Sequence, residues 1–101
     1  MCGFAGVVWE DSNERPFPKQ VLSTMAATLR HRGPDATGIH WANRCGLAHQ
    51  RLSIIDLSDA GRQPMSNENG TIWIAYNGET YNFRDLKSRF ALDGKHQFRS
   101  R

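Results

Sequence analysis

Met1-Cys2-Gly3-Phe4-Ala5-Gly6 opens the chain. Removal of Met1 makes Cys2 the first residue and puts a thiol and a free α-amine on one skeleton. The thiolate is a strong nucleophile, and an α-amine can take up a proton near neutral pH. One residue can then act as nucleophile and base, the logic of N-terminal nucleophile catalysis. Taken alone, the six residues read better as an ordinary first strand whose cysteine is merely small and apolar. The segments that follow reverse that preference.

Outward from this stretch, residues 4–9 read as a buried first strand and 10–18 as a loop holding Pro16 and Pro18. Residues 19–31 read as an amphipathic helix, with Val21, Leu22, Met25, Ala26 and Leu29 at helical spacing. Arg30, His31 and Arg32 fall near its negative end, and Gly33-Pro34 stops it. By itself, His31-Arg32-Gly33-Pro34-Asp35 reads as a helix C-cap. Residues 37–42 and 45–49 make a hairpin across Asn43-Arg44, with Cys45 as a core filler. Arg51 stands at a strand end, where an arginine is usually a surface charge. If buried, its rigid fork suits a carboxylate.

Residues 57–70 are irregular, with a turn at Asn69-Gly70, and 71–76 form a β-branched and aromatic strand. Asn77-Gly78 ends that strand, a place where an amide side chain and a backbone N–H can face a ligand. Asn82 reads as a helix N-cap with Asp85 at the third helical position and Phe83, Leu86 and Phe90 along one stripe. Asp93-Gly94 is a last turn, and 96–101 read as the start of another strand.

Composition narrows the choice of function. The 101 residues suffice for one small domain, and 39% hydrophobic with 23% charged residues is globular. The net charge of +3 comes from basic residues scattered along the chain. A nucleic-acid binder would more often gather them on one face among aromatics, so no nucleic-acid partner is expected. The start lacks a signal peptide's basic and apolar regions, and no apolar run is long enough to span a bilayer, so no membrane partner is expected. Two cysteines form no disulfide framework. No histidines and cysteines stand at zinc-ligand spacing and no phosphate-cradling glycine loop occurs, so neither a metal nor a cofactor is expected in these residues.

Five segments together resemble one family. They are Met1 to Gly6, His31-Arg32-Gly33-Pro34-Asp35, Ala48-His49-Gln50-Arg51-Leu52-Ser53-Ile54-Ile55-Asp56, Ala60-Gly61-Arg62-Gln63-Pro64-Met65, and Asn77-Gly78-Glu79-Thr80-Tyr81-Asn82. Their order and spacing are similar to those of the N-terminal glutaminase domain of glutamine-hydrolysing asparagine synthetases, a class II glutamine amidotransferase domain. Each segment is weak alone; five in order are specific. Thr80 departs from the family, where Ile is commoner.

The resemblance implies an α+β fold of the N-terminal nucleophile hydrolase type, an antiparallel β-sandwich flanked by helices and incomplete here. Residues 1–101 would be the N-terminal portion of the domain. The family's next segment, Ser-Asp-Thr-Glu, and the synthetase domain with its Ser-Gly-Gly-Leu-Asp-Ser loop lie outside this sequence. The resemblance makes Cys2, Asn77 and Gly78 catalytic. It makes Arg51, Leu52, Ser53, Ile54, Ile55, Asn77, Gly78 and Glu79 the glutamine-binding set. Cys2 would attack the glutamine side-chain amide, Asn77 and the Gly78 N–H would form the oxyanion hole, Arg51 would hold the α-carboxylate, and Glu79 would meet the α-amine. The ammonia would serve ATP-dependent conversion of aspartate to asparagine, with ATP and Mg2+ belonging to the absent synthetase domain.

A homodimer of the intact protein and a cytoplasmic location also follow from the resemblance. Two alternatives stand beside it: an asparagine synthetase-like amidotransferase with another acceptor, as in surface-polysaccharide synthesis, and a catalytically inactive fragment or binding module. A sandwich cut in half exposes edges and core faces, so these residues alone are expected to be poorly stable and weakly active or inactive.

Overall fold

The computed structural model describes residues 2–10, 17–53, 58–90 and 94–96. Three strands, β1 (Gly3–Val8), β2 (Ala36–Trp41) and β3 (Cys45–Arg51), form an antiparallel sheet in the order β1-β3-β2. The helix α1 (Lys19–Ala27) links β1 to β2. A 3-10 turn at Asp59–Gly61 then leads to a two-stranded antiparallel ribbon of β4 (Met65–Ser66) and β5 (Trp73–Ile74), followed by α2 (Phe83–Arg89). Small antiparallel sheets with two helices make the arrangement α+β.

β3 is the spine. It pairs on one side with β1, from Gly3 opposite Gln50 to Val8 opposite Cys45. On the other side it pairs with β2, from Ala36 opposite Arg51 to Trp41 opposite Gly46. Because strand side chains alternate, Gly46, Ala48 and Gln50 share one face, and Leu47, His49 and Arg51 share the other.

The first face carries the core. Leu22 and Ala26 of α1 are fully buried against Ala48, with Ala5, Phe17, Met25, Ile39 and Trp41 packed around them. Burying one leucine side chain contributes roughly 1.5–3 kcal/mol. A Cβ at Gly46 would stand 2.7 Å from the Trp41 ring, so that ring occupies the space a side chain would need. Trp41 also packs on Trp9, with ring centroids 5.2 Å apart.

The segment 58–78 crosses the second face. The His40 imidazole stacks on the Trp73 indole at 3.8 Å and 12°. The Gln63 carbonyl group lies directly over Gly38, where a Cβ would come within 2.8 Å of the Gln63 carbonyl carbon.

Several elements differ from the sequence expectations. The helix expected over 19–31 ends at Ala27. Beyond it Leu29, Arg30 and Arg32 donate to carbonyls three residues back, and the Thr28 hydroxyl donates to the Met25 carbonyl at 2.6 Å. The chain tightens into turns, so Arg30, His31 and Arg32 lie past the last helical turn. The first strand is buried on one face only: Phe4 is 53% and Val8 81% exposed. β3, by contrast, runs through Gln50 and closes at Arg51, the strand end expected for that arginine. The strand expected over 71–76 is reduced to Trp73–Ile74.

Asn67 explains part of that last difference. Its side-chain oxygen accepts from the Thr71 N–H at 2.9 Å and the Ile72 N–H at 3.0 Å, so a side chain takes two donors that would extend the ladder. The turn around Asn69-Gly70 is present, with Gly70 at φ +72°. Asn82 precedes α2 without a side-chain capping bond; its carbonyl accepts from Leu86 instead. α2 buries none of its residues fully. The strand expected over 96–101 falls, beyond His96, outside the described residues, as do 11–16 of the first loop.

Candidate active site

Cys2 stands at the end of the sheet where β3 closes with Arg51. Gly3 is opposite Gln50, so the next step along the ladder brings Cys2 to that end. The Leu52 N–H donates to the Cys2 Sγ at 3.3 Å, and the same sulfur lies 3.6 Å from the Leu52 carbonyl. Both backbone polar groups of Leu52 therefore face the Cys2 sulfur. Cys2 and Cys45 are free thiols at opposite ends of the sheet.

Arg51 is only 7% exposed. Its Nη1 donates to the Ser58 carbonyl at 2.6 Å, which fixes the direction of the fork. A buried guanidinium with a set direction is suited to a bidentate anion such as a carboxylate.

Residues 33–35, which precede β2, brace this end of β3. The Asp35 N–H donates to the Arg51 carbonyl at 2.9 Å, and the Asp35 Oδ2 accepts from the Ser53 N–H at 2.7 Å. The Gly33 carbonyl accepts from the buried Gln50 side chain at 3.0 Å. The Thr37 hydroxyl donates to the other end of that amide. A Cβ on Gly33 would come within 2.7 Å of the Arg51 carbonyl carbon, so only glycine allows this approach. The segment read as a helix cap is a brace on the strand that carries Arg51.

Asn77 and Gly78 arrive from the ribbon on the second face. They follow Tyr76, whose N–H donates to the Gln63 Oε1 at 2.6 Å and whose carbonyl lies 3.2 Å from the His49 Nε2. A carbonyl only accepts, so His49 carries its proton on Nε2. Its Nδ1 is buried without a partner among the described residues. Burial pushes the His49 pKa below its ordinary 6.5; the Tyr76 carbonyl opposes this and the Arg51 charge adds to it. A Cβ on Gly78 would meet the Tyr76 phenol oxygen at 2.8 Å. Among the described residues, neither the Asn77 amide nor the Gly78 N–H has a hydrogen-bond partner.

Of the residues singled out from the sequence, Cys2, Arg51, Leu52 and Ser53 thus gather at one end of β3. Asn77 is half-buried, Gly78 and Glu79 are exposed, and Ile54 and Ile55 lie outside the described residues. Among the described residues no helix is long and apolar enough to cross a membrane.

The glutamine amidotransferase domain family matches the chain over residues 1–101. The chain belongs to that family. The amidotransferase domain is 45% identical over 100 residues to a glutamine-hydrolyzing asparagine synthetase of Zea mays, covering 99% of this chain and 16% of that protein. It is 39% identical over 100 residues to glutamine-hydrolyzing asparagine synthetase 2 of Arabidopsis thaliana, with the same coverage of 99% and 16%. It is 37% identical over 99 residues to glutamine-hydrolyzing asparagine synthetase 1 of Bacillus subtilis, covering 93% of this chain and 15% of that protein. The amidotransferase domain thus spans less than a fifth of the length of these relatives.

Sequence reasoning gave no site role to Gly33, Asp35, His49, Gln50 or Gln63 of the amidotransferase domain. Their partners lie 13 to 18 residues away in sequence or, for His49, 27 residues away. One signal was available for His49: in a strand it shares a face with Arg51, two residues on.

Proposed function

We propose that this domain hydrolyses glutamine to glutamate and ammonia through a thioester on Cys2, as an N-terminal nucleophile hydrolase with a sandwich architecture. The observation that carries the reading is the Cys2 Sγ held 3.3 Å from the Leu52 N–H, one residue beyond the buried Arg51. A nucleophile beside a carboxylate-binding fork fits an amino-acid substrate. With Met1 removed, the α-amine of Cys2 takes the thiol proton as the sulfur adds to the side-chain amide carbon. The oxyanion so formed is met by the Asn77 side-chain N–H and the Gly78 backbone N–H, neutral donors that need no reorganisation. The C–N bond then breaks, the α-ammonium returns the proton to the leaving nitrogen, and ammonia departs. Water, deprotonated by the same amine, opens the thioester and regenerates the thiol.

Arg51 holds the glutamine α-carboxylate, the backbone of residues 52–55 lines that end, and Glu79 receives the α-amine. In this reading the ammonia serves ATP-dependent amidation of aspartate by a synthetase region outside this sequence, in a cytoplasmic protein that can form a homodimer. ATP and Mg2+ belong to that region, and no residue here is assigned to them.

The test is intact mass before and after a diazo-ketone analogue of glutamine. Loss of Met1 with a single adduct, abolished by Cys2→Ala, supports the reading. Retained Met1, or labelling shared equally with Cys45, defeats it.

A further inference from the structure

We infer that His49 and Gln63 are positioning residues for the oxyanion donors, because their two side chains fix both backbone polar groups of Tyr76, the residue preceding Asn77-Gly78. This rests on the glutamine-hydrolysing reading above and deepens it.

Tyr76 lies beyond the end of β5 at Ile74, outside any ladder. Its N–H and carbonyl would otherwise be left to solvent. They are held by Gln63 Oε1 at 2.6 Å and by His49 Nε2 at 3.2 Å. Neither holder is itself loose. His49 is 1% exposed, sits in the central strand, and is opposite both Phe4 and Gly38. Gln63 belongs to a backbone pressed onto Gly38, the same residue that pairs with His49.

The consequence is a shared frame. β3 holds Tyr76 through His49, carries Arg51 two residues later, and leads into Leu52, whose N–H donates to the Cys2 Sγ. Nucleophile and oxyanion donors are therefore referenced to one strand, although they come from residues 2 and 77–78. Donor placement matters steeply in such sites: a displacement of about 1 Å can cost about a hundredfold in rate. The donors act on charge that appears only in the transition state, so loosening Tyr76 lowers kcat and spares ground-state binding by Arg51.

The experiment is steady-state glutamine hydrolysis by the full-length protein and four variants. His49→Asn is too short to reach the Tyr76 carbonyl, whereas His49→Gln keeps an N–H donor near the Nε2 position. Gln63→Leu removes the acceptor for the Tyr76 N–H, whereas Gln63→Glu keeps one. Expected are kcat losses of about 10- to 100-fold for His49→Asn and Gln63→Leu, with KM for glutamine near its original value and most of the rate restored in His49→Gln and Gln63→Glu. Unchanged kcat in both disruptive variants overturns the inference. So does a loss that the conservative variants fail to restore, or one that falls on KM. If His49→Asn does not fold, the Gln63 pair decides by the same criteria. Absence of turnover by the unsubstituted protein overturns the underlying reading, and this inference with it.

Discussion

The Asp35 carboxylate accepts a 2.7 Å hydrogen bond from the Ser53 N–H across 18 residues of chain. With the Asp35 N–H bound to the Arg51 carbonyl, it clasps the end of β3 from two sides. Removing the carboxylate leaves Ser53 to water and frees the backbone that follows Arg51. A bond of this kind contributes about 0.5–1.5 kcal/mol. Asp35→Ala should raise KM for glutamine several-fold and lower kcat less. An unchanged KM in steady-state kinetics would show that the clasp does not shape the pocket.

Gly33 presses on backbone rather than on a side chain that could swing aside. A Cβ there would face the Gln50 carbonyl carbon at 2.5 Å and that of Arg51 at 2.7 Å. Gly33→Ala must push β3 or the brace away, at a cost of about 1–3 kcal/mol. In a domain of this size each kcal/mol lowers the melting temperature by roughly 4–8 °C. Circular-dichroism melting should therefore show a drop of at least several degrees. An unshifted melt would mean that the brace moves freely.

His49 makes stability depend on pH. Its pKa is lowered in the folded chain, so the unfolded chain binds the proton more readily. The stabilisation is full above the ordinary value of 6.5 and is lost as pH falls from there through the folded value. The melting temperature should decline as pH falls below about 6.5, and His49→Gln should flatten that decline. Parallel curves for the two proteins would remove His49 as the cause.

Arg51→Lys keeps the charge but replaces a planar fork with a point donor. Under the proposed mechanism kcat/KM for glutamine should fall about 10- to 100-fold, mostly through KM. Glutamine kinetics measure this directly. A lysine variant at full activity would mean that Arg51 does not grip the carboxylate.

The hairpin of β2 and β3 was legible because its signals are local: Thr37, Ile39 and Trp41 before the Asn43-Arg44 turn and a mostly apolar Cys45 to Ala48 after it. The proposal for Cys2 rests instead on five segments in order, since Met1 to Gly6 alone read as an ordinary first strand. The brace was not legible. Gly33-Pro34 is the chemistry of a helix stop, but α1 has already ended at Ala27, and the contacts that give the segment its task lie with Gln50, Arg51 and Ser53. The strand over 71–76 looked long because Thr71, Ile72 and Tyr76 have the right side chains. Asn67 and Gln63 take their backbone N–H groups, a competition that no propensity records. α2 has its expected apolar stripe, yet Phe90 is 54% exposed, because a stripe does not say which surface will cover it.

The alternation along β3 has a consequence for which changes of chain length the domain tolerates. Ala48 and Gln50 serve the helix side while His49 and Arg51 serve the other, one residue apart. An extra residue in the turn between Trp41 and Cys45 that shifted the register by one would send the imidazole and guanidinium into the apolar layer and expel Ala48 from it. Hydrophobic packing and the proposed substrate contacts would fail together. Substitutions can be judged residue by residue here, but insertions in that turn confront both demands at once.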